Sequence, residues 1–273
     1  MTAIPGAGGS SEPTGGTTRG VASLDATPLA RKAELAAALA ALEQRIAEAC
    51  AAAGRPRADV TLIAVTKTFP AADVAILAEL GIHEVAENKD QEAKAKHAAL
   101  VSAGLRWHFV GQLQRNKARS VVRYADVVHS VDRPELAEAL GTAAGLVRER
   151  PLDVLVQIDL SDGVDAAQGP SGVARGGVRP GEIGRLADAV GAQPALRLLG
   201  VMAVAPLGGD PDHAFARLGE VASELVKVYP AARWVSAGMS GDLEAAIRHG
   251  ATHVRVGSAL LGNRVTGHGK VRA

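Results

Sequence analysis

An uninterrupted apolar run, Leu62-Ile63-Ala64-Val65, stops at Thr66-Lys67-Thr68. Aliphatic and β-branched runs without polar alternation mark strands buried on both faces, the pattern of a parallel sheet. Lys67 is therefore predicted at the C-terminal end of the first strand. Short runs of this kind recur over 60–65, 84–86, 107–110, 127–130, 154–158, 198–203, 234–236 and 254–256, with helical patterns between them. Gly81, Gly104 and Gly250 stand between a helical or loop stretch and the following strand, where a residue able to turn left-handed closes the helix. Upstream, Leu35, Leu39, Leu42 and Ile46 recur at spacings of three and four, an amphipathic helix over 29–53 that Gly54 and Pro56 end. Eight strands alternating with helices predict an α/β fold, a single (β/α)8 TIM barrel with an extra N-terminal helix. A doubly wound open sheet is the alternative.

Composition sets the domain plan. With 273 residues and 47% hydrophobic content, the chain suits one large α/β domain or two small ones. Residues 1–28 are rich in Gly, Ser, Thr and Pro, bury too little surface to offset ordering, and read as a disordered tail. The barrel is assigned to 29–264, and 265–273 to a flexible C-terminal tail. A net charge of +1 and 3% aromatic content give no reason to expect a nucleic-acid partner. No secretory segment is visible, and no run approaches the roughly 18 apolar residues that span a bilayer, so a soluble cytoplasmic protein without membrane contact is expected. The single cysteine, Cys50, fits a reducing compartment and reads as a small apolar helix residue; no metal-ligand spacing surrounds it.

Candidate chemistry lies at the predicted strand ends. An amine held beside apolar walls there loses part of its preference for the protonated form and becomes a nucleophile for aldehydes; Lys67 is either that amine or a lysine snorkelling into solvent. Two glycine-bearing turns follow the last two strands, Ser236-Ala237-Gly238-Met239-Ser240-Gly241 and Arg255-Val256-Gly257-Ser258-Ala259. Barrels commonly bind phosphate there, because glycine admits an anion to backbone N–H groups and serine hydroxyls add donors. Ser240 and Ser258 each stand where a helix is expected to begin, as ligands or as N-caps. By alternation with Val254 and Val256, Arg255 points into the barrel mouth, where its guanidinium needs an acceptor, either a pyridine nitrogen or a carboxylate such as Glu87. Asn88 binds a ligand or caps a helix, and His108 is a barrel-interior histidine or a proton shuttle. The glycine-rich stretch 161–177 is a lid or a surface insertion.

Taken together, these stretches resemble the pyridoxal phosphate homeostasis proteins, which share the fold of the alanine racemase N-terminal domain. The resemblance runs through Leu62 to Lys67, Glu87-Asn88, Trp107-His108-Phe109-Val110-Gly111-Gln112, Gly200-Val201-Met202-Ala203, Gly238-Met239-Ser240 and Val254-Arg255-Val256-Gly257-Ser258. It implies that Lys67 forms a Schiff base with pyridoxal 5′-phosphate and that Ser240, Gly257 and Ser258 hold the phosphate. It also implies that Arg255 faces the pyridine nitrogen, while Asn88, His108, Ser236 and Met239 line the pocket. The family is generally monomeric or weakly associating, and binds, buffers and hands the cofactor to apoenzymes rather than turning over a substrate. Ala86-Glu87-Asn88-Lys89 departs from the family's usual Gly-Glu-Asn-Tyr, removing a tyrosine near the ring.

An amino-acid racemase with weak activity is the competing reading. Racemisation by two bases needs a second acid/base on the opposite face of the cofactor, in the resembling racemases a tyrosine of an added domain. Only a short tail follows the last predicted strand, and Tyr124 and Tyr229 are expected within helical segments. A Schiff-base aldolase or phosphosugar isomerase would also use a barrel phosphate site, but the isomerase needs a carboxylate base where strand six ends in Met202-Ala203-Val204.

Overall fold

The computed structural model describes residues 27–161 and 176–262. Residues 1–26 of the expected N-terminal tail, the whole expected C-terminal tail 265–273 and nearly all of the glycine-rich stretch 161–177 fall outside the described residues. Strands β1 (Thr61–Val65), β2 (Glu84–Glu87), β3 (Arg106–Phe109), β4 (Val127–Val131), β5 (Leu152–Ile158), β6 (Leu196–Ala203), β7 (Trp234–Ser236) and β8 (His253–Val256) pair in that order. All are parallel, and β8 pairs with β1, with Leu62 opposite Val254 and Ile63 opposite Arg255. The sheet is a closed barrel, which excludes the open doubly wound sheet.

Helices α1 (Pro28–Ala52), α2 (Ala71–Glu79), α3 (Asp90–Ala99), α4 (Ala118–Val121), α5 (Pro134–Gly145), α6 (Ile183–Gly191), α7 (Pro211–Val228), α8 (Leu243–Arg248) and α9 (Ser258–Leu261) accompany the strands. The expected extra helix is α1, capped by the Thr27 hydroxyl, which accepts from the Ala30 N–H at 3.3 Å. Tyr124 and Tyr229 are corrected: they stand in the segments just after α4 and α7. Pro230 disfavours helical backbone at Tyr229, and α4 closes within a turn through the Tyr124 N–H to the Val121 carbonyl.

Alternation along each strand sorts the side chains into two layers. Leu62, Ala64, Val254 and Val256 face outward and bury against Leu35, Leu42 and Ile46 of α1. Each fully buried aliphatic side chain contributes about 1.5–3 kcal/mol. Since α9 is only one turn long, α1 supplies the missing cover over β8 and β1. Arg31 ties it down by donating to Asp73 Oδ2 at 2.7 Å and to the Leu261 carbonyl at 3.0 Å. Val127, Leu155 and Met202 face inward and pack with Trp234.

The interior also carries charge at the N-terminal ends of the strands. Arg106 donates to Asp153 at 2.8 Å and lies 3.7 Å from Glu84, while Arg197 grips Asp153 at 2.6 and 2.9 Å. This ring of charges closes the barrel floor. The opposite, C-terminal end is open. Among the described residues, no helix is long and apolar enough to cross a membrane.

Candidate functional site

At the C-terminal ends of β1, β7 and β8 lies a cleft of about 540 Å³. Val65 and Phe69 give it an apolar wall, and Lys67 and Arg255 supply its cationic groups. Met239, Ser240, Gly257 and Ser258 complete the side toward α8 and α9.

Lys67 lies two residues past β1, on a turn whose next residue, Thr68, takes a φ of 69°. A β-branched residue in left-handed backbone is strained by about 1–3 kcal/mol and persists only when neighbours over-determine it. Lys96 does so from α3. Its Nζ donates to the Thr66 carbonyl at 2.7 Å, to Glu87 Oε1 at 2.6 Å and to Glu92 Oε1 at 2.7 Å. The Thr66 hydroxyl donates to Glu87 Oε1 at 2.6 Å, and Glu92 accepts from the Thr68 N–H. The turn bearing Lys67 is thus held on both sides. Burial pushes the Glu87 carboxyl above the usual carboxylate range, opposed by its bonds to Lys96 and Thr66.

Two short turns face Lys67 across the cleft. Ser258 Oγ donates to Ser240 Oγ at 3.1 Å, and the Ala259 N–H reaches Ser240 Oγ at 3.3 Å. Ser258 opens α9, whereas Ser240 precedes the Asp242 cap of α8 by two residues and is not itself a cap. Arg45 of α1 anchors this turn from behind, donating to the Ser240 carbonyl at 2.8 Å and to Glu244 Oε2 at 2.7 Å. Gly257 brings the backbone close to β1: a Cβ there would stand 3.1 Å from the Val65 carbonyl oxygen. Gly238 has a φ of 89°, and a Cβ would lie 2.7 Å from that of Ala246. Gly238→Ala is expected to lower unfolding stability by roughly 1–3 kcal/mol in urea titration; an unchanged midpoint would mean the turn adapts.

Arg255 is 4% exposed at the cleft's inner wall. It donates to Ser236 Oγ at 2.7 Å and to the Ala203 carbonyl at 2.8 Å, so its partners among the described residues are neutral. The alternative ion pair with Glu87 does not form; Glu87 is taken by Lys96. Burial pulls the Arg255 guanidinium down to about 10, still protonated at neutral pH.

Of the residues singled out in the sequence, Lys67, Met239, Ser240, Arg255, Gly257 and Ser258 meet in this cleft. Ser236 sits directly behind Arg255. His108 is buried in the barrel, with Nε2 against Glu84 and Nδ1 2.7 Å from His129 Nε2. Asn88 follows β2, its backbone carbonyl closely packed under Gly111. Sequence reasoning missed His129 and Lys96. A lone histidine inside Val127-Val128-His129-Ser130-Val131 was a visible signal. Lys96 gave none, since a lysine on a polar helix reads as solvated.

An amine, a buried guanidinium and paired serine hydroxyls around one barrel mouth define a site for a small anionic ligand. The fold class follows from the match of residues 37–265 to the alanine racemase N-terminal domain. The chain belongs to the pyridoxal phosphate homeostasis protein family. It is 44% identical over 253 residues to the Mycobacterium tuberculosis protein of that name, covering 86% of this chain and 94% of the relative. The Escherichia coli protein of the same name is 36% identical over 241 residues, with 85% and 97% covered. Among solved structures, PipY of Synechococcus elongatus with pyridoxal phosphate bound is similar at a TM-score of 0.71 and 33% identity, covering 84% of this chain and all (100%) of PipY. Alanine racemase from Corynebacterium glutamicum, at a TM-score of 0.62 and 14% identity, covers 88% of this chain and 63% of the racemase, and shares the fold.

Proposed function

We propose that this protein binds pyridoxal 5′-phosphate covalently at Lys67 and serves intracellular pyridoxal phosphate homeostasis as a monomeric cytoplasmic carrier, handing the cofactor to apoenzymes without turning over a substrate. The carrying observation is the convergence of Lys67, Arg255, Ser240 and Ser258 on one cleft of about 540 Å³. The donor set fits the cofactor's three kinds of polar group. Ser240 and Ser258, with Gly257 allowing close approach, offer hydroxyl and backbone donors to a phosphate. Arg255, whose partners here are neutral, has N–H groups to spare for the lone pair of a pyridine nitrogen. Met239, in the cleft lining, flanks the ring.

When bound, the cofactor supplies an aldehyde that condenses with a primary amine. Lys67 provides that amine on a turn fixed by Lys96 and Glu87. A donating arginine keeps the ring nitrogen unprotonated, which weakens the ring as an electron sink and favours holding the cofactor over using it. Tyr124 and Tyr229 are not among the residues that line the cleft.

The test is an absorption titration with pyridoxal phosphate, borohydride reduction and peptide mapping, with an L-alanine racemisation assay beside it. The expected result is a reduced adduct on Lys67 and no racemisation above background; a modified lysine elsewhere sinks the assignment. Ser240→Ala with Ser258→Ala is expected to weaken retention by about 1.5–3 kcal/mol, tenfold or more, with the adduct on Lys67 retained. Unchanged affinity would move the phosphate elsewhere.

A further inference from the structure

Between the barrel floor and Arg255 runs an unbroken line of polar groups contributed by four strands, buried except for the partly exposed Glu84 at the floor. Glu84 of β2 meets His108 Nε2; His108 Nδ1 lies 2.7 Å from His129 Nε2; His129 Nδ1 lies 3.0 Å from Ser236 Oγ; Ser236 Oγ accepts from Arg255 at 2.7 Å. His108, His129 and Ser236 are 1%, 0% and 0% exposed. Protein groups account for both nitrogens of each ring, so neither histidine has a nitrogen left for a ligand.

Only one end of this line can set its direction. Arg255 has no acceptor, so it must donate to Ser236. If Ser236 then donates to His129 Nδ1, His129 donates through Nε2 to His108 Nδ1, and His108 donates through Nε2 to an ionised Glu84. Every link is satisfied, and both histidines are neutral. The opposite direction requires either a proton on Glu84 or a cationic His108, and burial holds His108 below its ordinary value, opposed by its bond to Glu84. The bond to His108 and the nearby Arg106 hold Glu84 below the usual carboxylate range, despite burial. A cationic His129 is disfavoured as well, since burial pushes it well below its ordinary value.

We propose that Glu84, His108, His129 and Ser236 form one directed hydrogen-bond relay that positions Arg255 for its ligand and supplies it with a distant counter-charge. The proposal rests on the reading that Arg255 meets the cofactor's ring nitrogen. Its consequence is specific. The Ser236 hydroxyl proton is committed to His129, so the serine turns its lone pairs toward Arg255 and offers no donor to the cleft. The guanidinium is held without a carboxylate in contact, leaving its remaining N–H groups for an acceptor. Bonds in such chains polarise one another, by about 10–30% per bond, so the carboxylate is felt at the far end. These four are positioning residues; they act through Arg255.

Other charged groups face the same interior. Arg106 of β3 is paired with Asp153 of β5, whose other partner, Arg197 of β6, is largely exposed at the floor. His253 of β8, driven down to about 3 by burial, is neutral and stacks on Trp234 of β7 at 3.8 Å. Asp126 before β4 and Asp242 before α8 are further carboxylates whose fields reach His108 and Arg255. Asp153 therefore serves as the control: a buried carboxylate on the same Arg106, outside the relay.

The experiment has two parts. Nitrogen-15 NMR of histidine-labelled free protein is expected to show His108 and His129 neutral, with bare Nδ1 and protonated Nε2, from about pH 6 to 8; a cationic ring or the other tautomer overturns the relay. In the pyridoxal phosphate complex, Glu84→Gln removes negative charge, which disfavours protonated forms of the bound cofactor. The pH midpoint of its absorbance is expected to fall by about one unit, Glu84→Asp to restore it, and Asp153→Asn to move it far less. An unmoved midpoint in Glu84→Gln, or an equal shift in Asp153→Asn, overturns the relay. Wild type without an adduct on Lys67 overturns the reading of the cleft instead, and the NMR part, made on free protein, still decides the relay.

Discussion

Lys67→Ala is expected to abolish covalent uptake of pyridoxal phosphate entirely, with no mass increase after borohydride. The methyl group offers no amine, and Lys96, the buried lysine among the described residues, is 6% exposed and engaged by Glu87, Glu92 and the Thr66 carbonyl. Noncovalent retention through Ser240, Ser258 and Arg255 should survive at reduced affinity, since those groups lie across the cleft. Equilibrium dialysis beside the trapping experiment separates the two effects. An adduct that persists in Lys67→Ala, on any other lysine, would refute the assignment of this residue.

Lys96→Met is expected to produce the largest loss of stability of any single change near the site. Methionine fills much of the same volume but leaves the Glu87 carboxylate buried without its cation, and breaking a buried pair from one side costs about 3–5 kcal/mol. The pH dependence has a definite sign. Burial already raises the Glu87 carboxyl above its unfolded value. Such a group stabilises the fold most below its unfolded pKa, and that contribution is lost as pH rises through the folded one. Removing Lys96 raises the folded value further. The deficit relative to wild type should therefore be greatest at neutral and alkaline pH and shrink toward pH 4–5, read by urea unfolding across pH. A deficit independent of pH would show that lost packing, not the stranded carboxylate, dominates. The same substitution releases the clamp on Thr66 and Thr68, tying the stability of this corner to the presentation of Lys67.

How far the site was legible in the sequence depends on the residue. Arg255 was placed at the barrel mouth by alternation alone, and it lines the cleft. Its protein acceptor was not legible: the sequence offered a pyridine nitrogen or a carboxylate such as Glu87, and the structure gives Glu87 to Lys96 and Ser236 to Arg255. Ser240 was read as standing at a helix start, but α8 begins later, at Leu243, after Asp242. His108 read equally as interior residue or proton shuttle, and nothing local distinguished them. Its two nitrogens are settled by Glu84, 24 residues away, and His129, 21 residues away.

The sequence by itself determined the barrel. Apolar runs without polar alternation can be buried only in a sheet covered on both faces, and eight of them separated by helical stretches leave closure as the economical solution. It also determined which residues stand at strand ends, because strand length and alternation are local properties. Only the tertiary structure decided which of those residues meet. Ser236 reaches His129 across 107 positions and Arg45 reaches Ser240 across 195. Such pairings depend on the stagger between neighbouring strands and on how a distant helix docks, and a polar side chain reads the same in sequence whether it turns toward solvent, ligand or another strand.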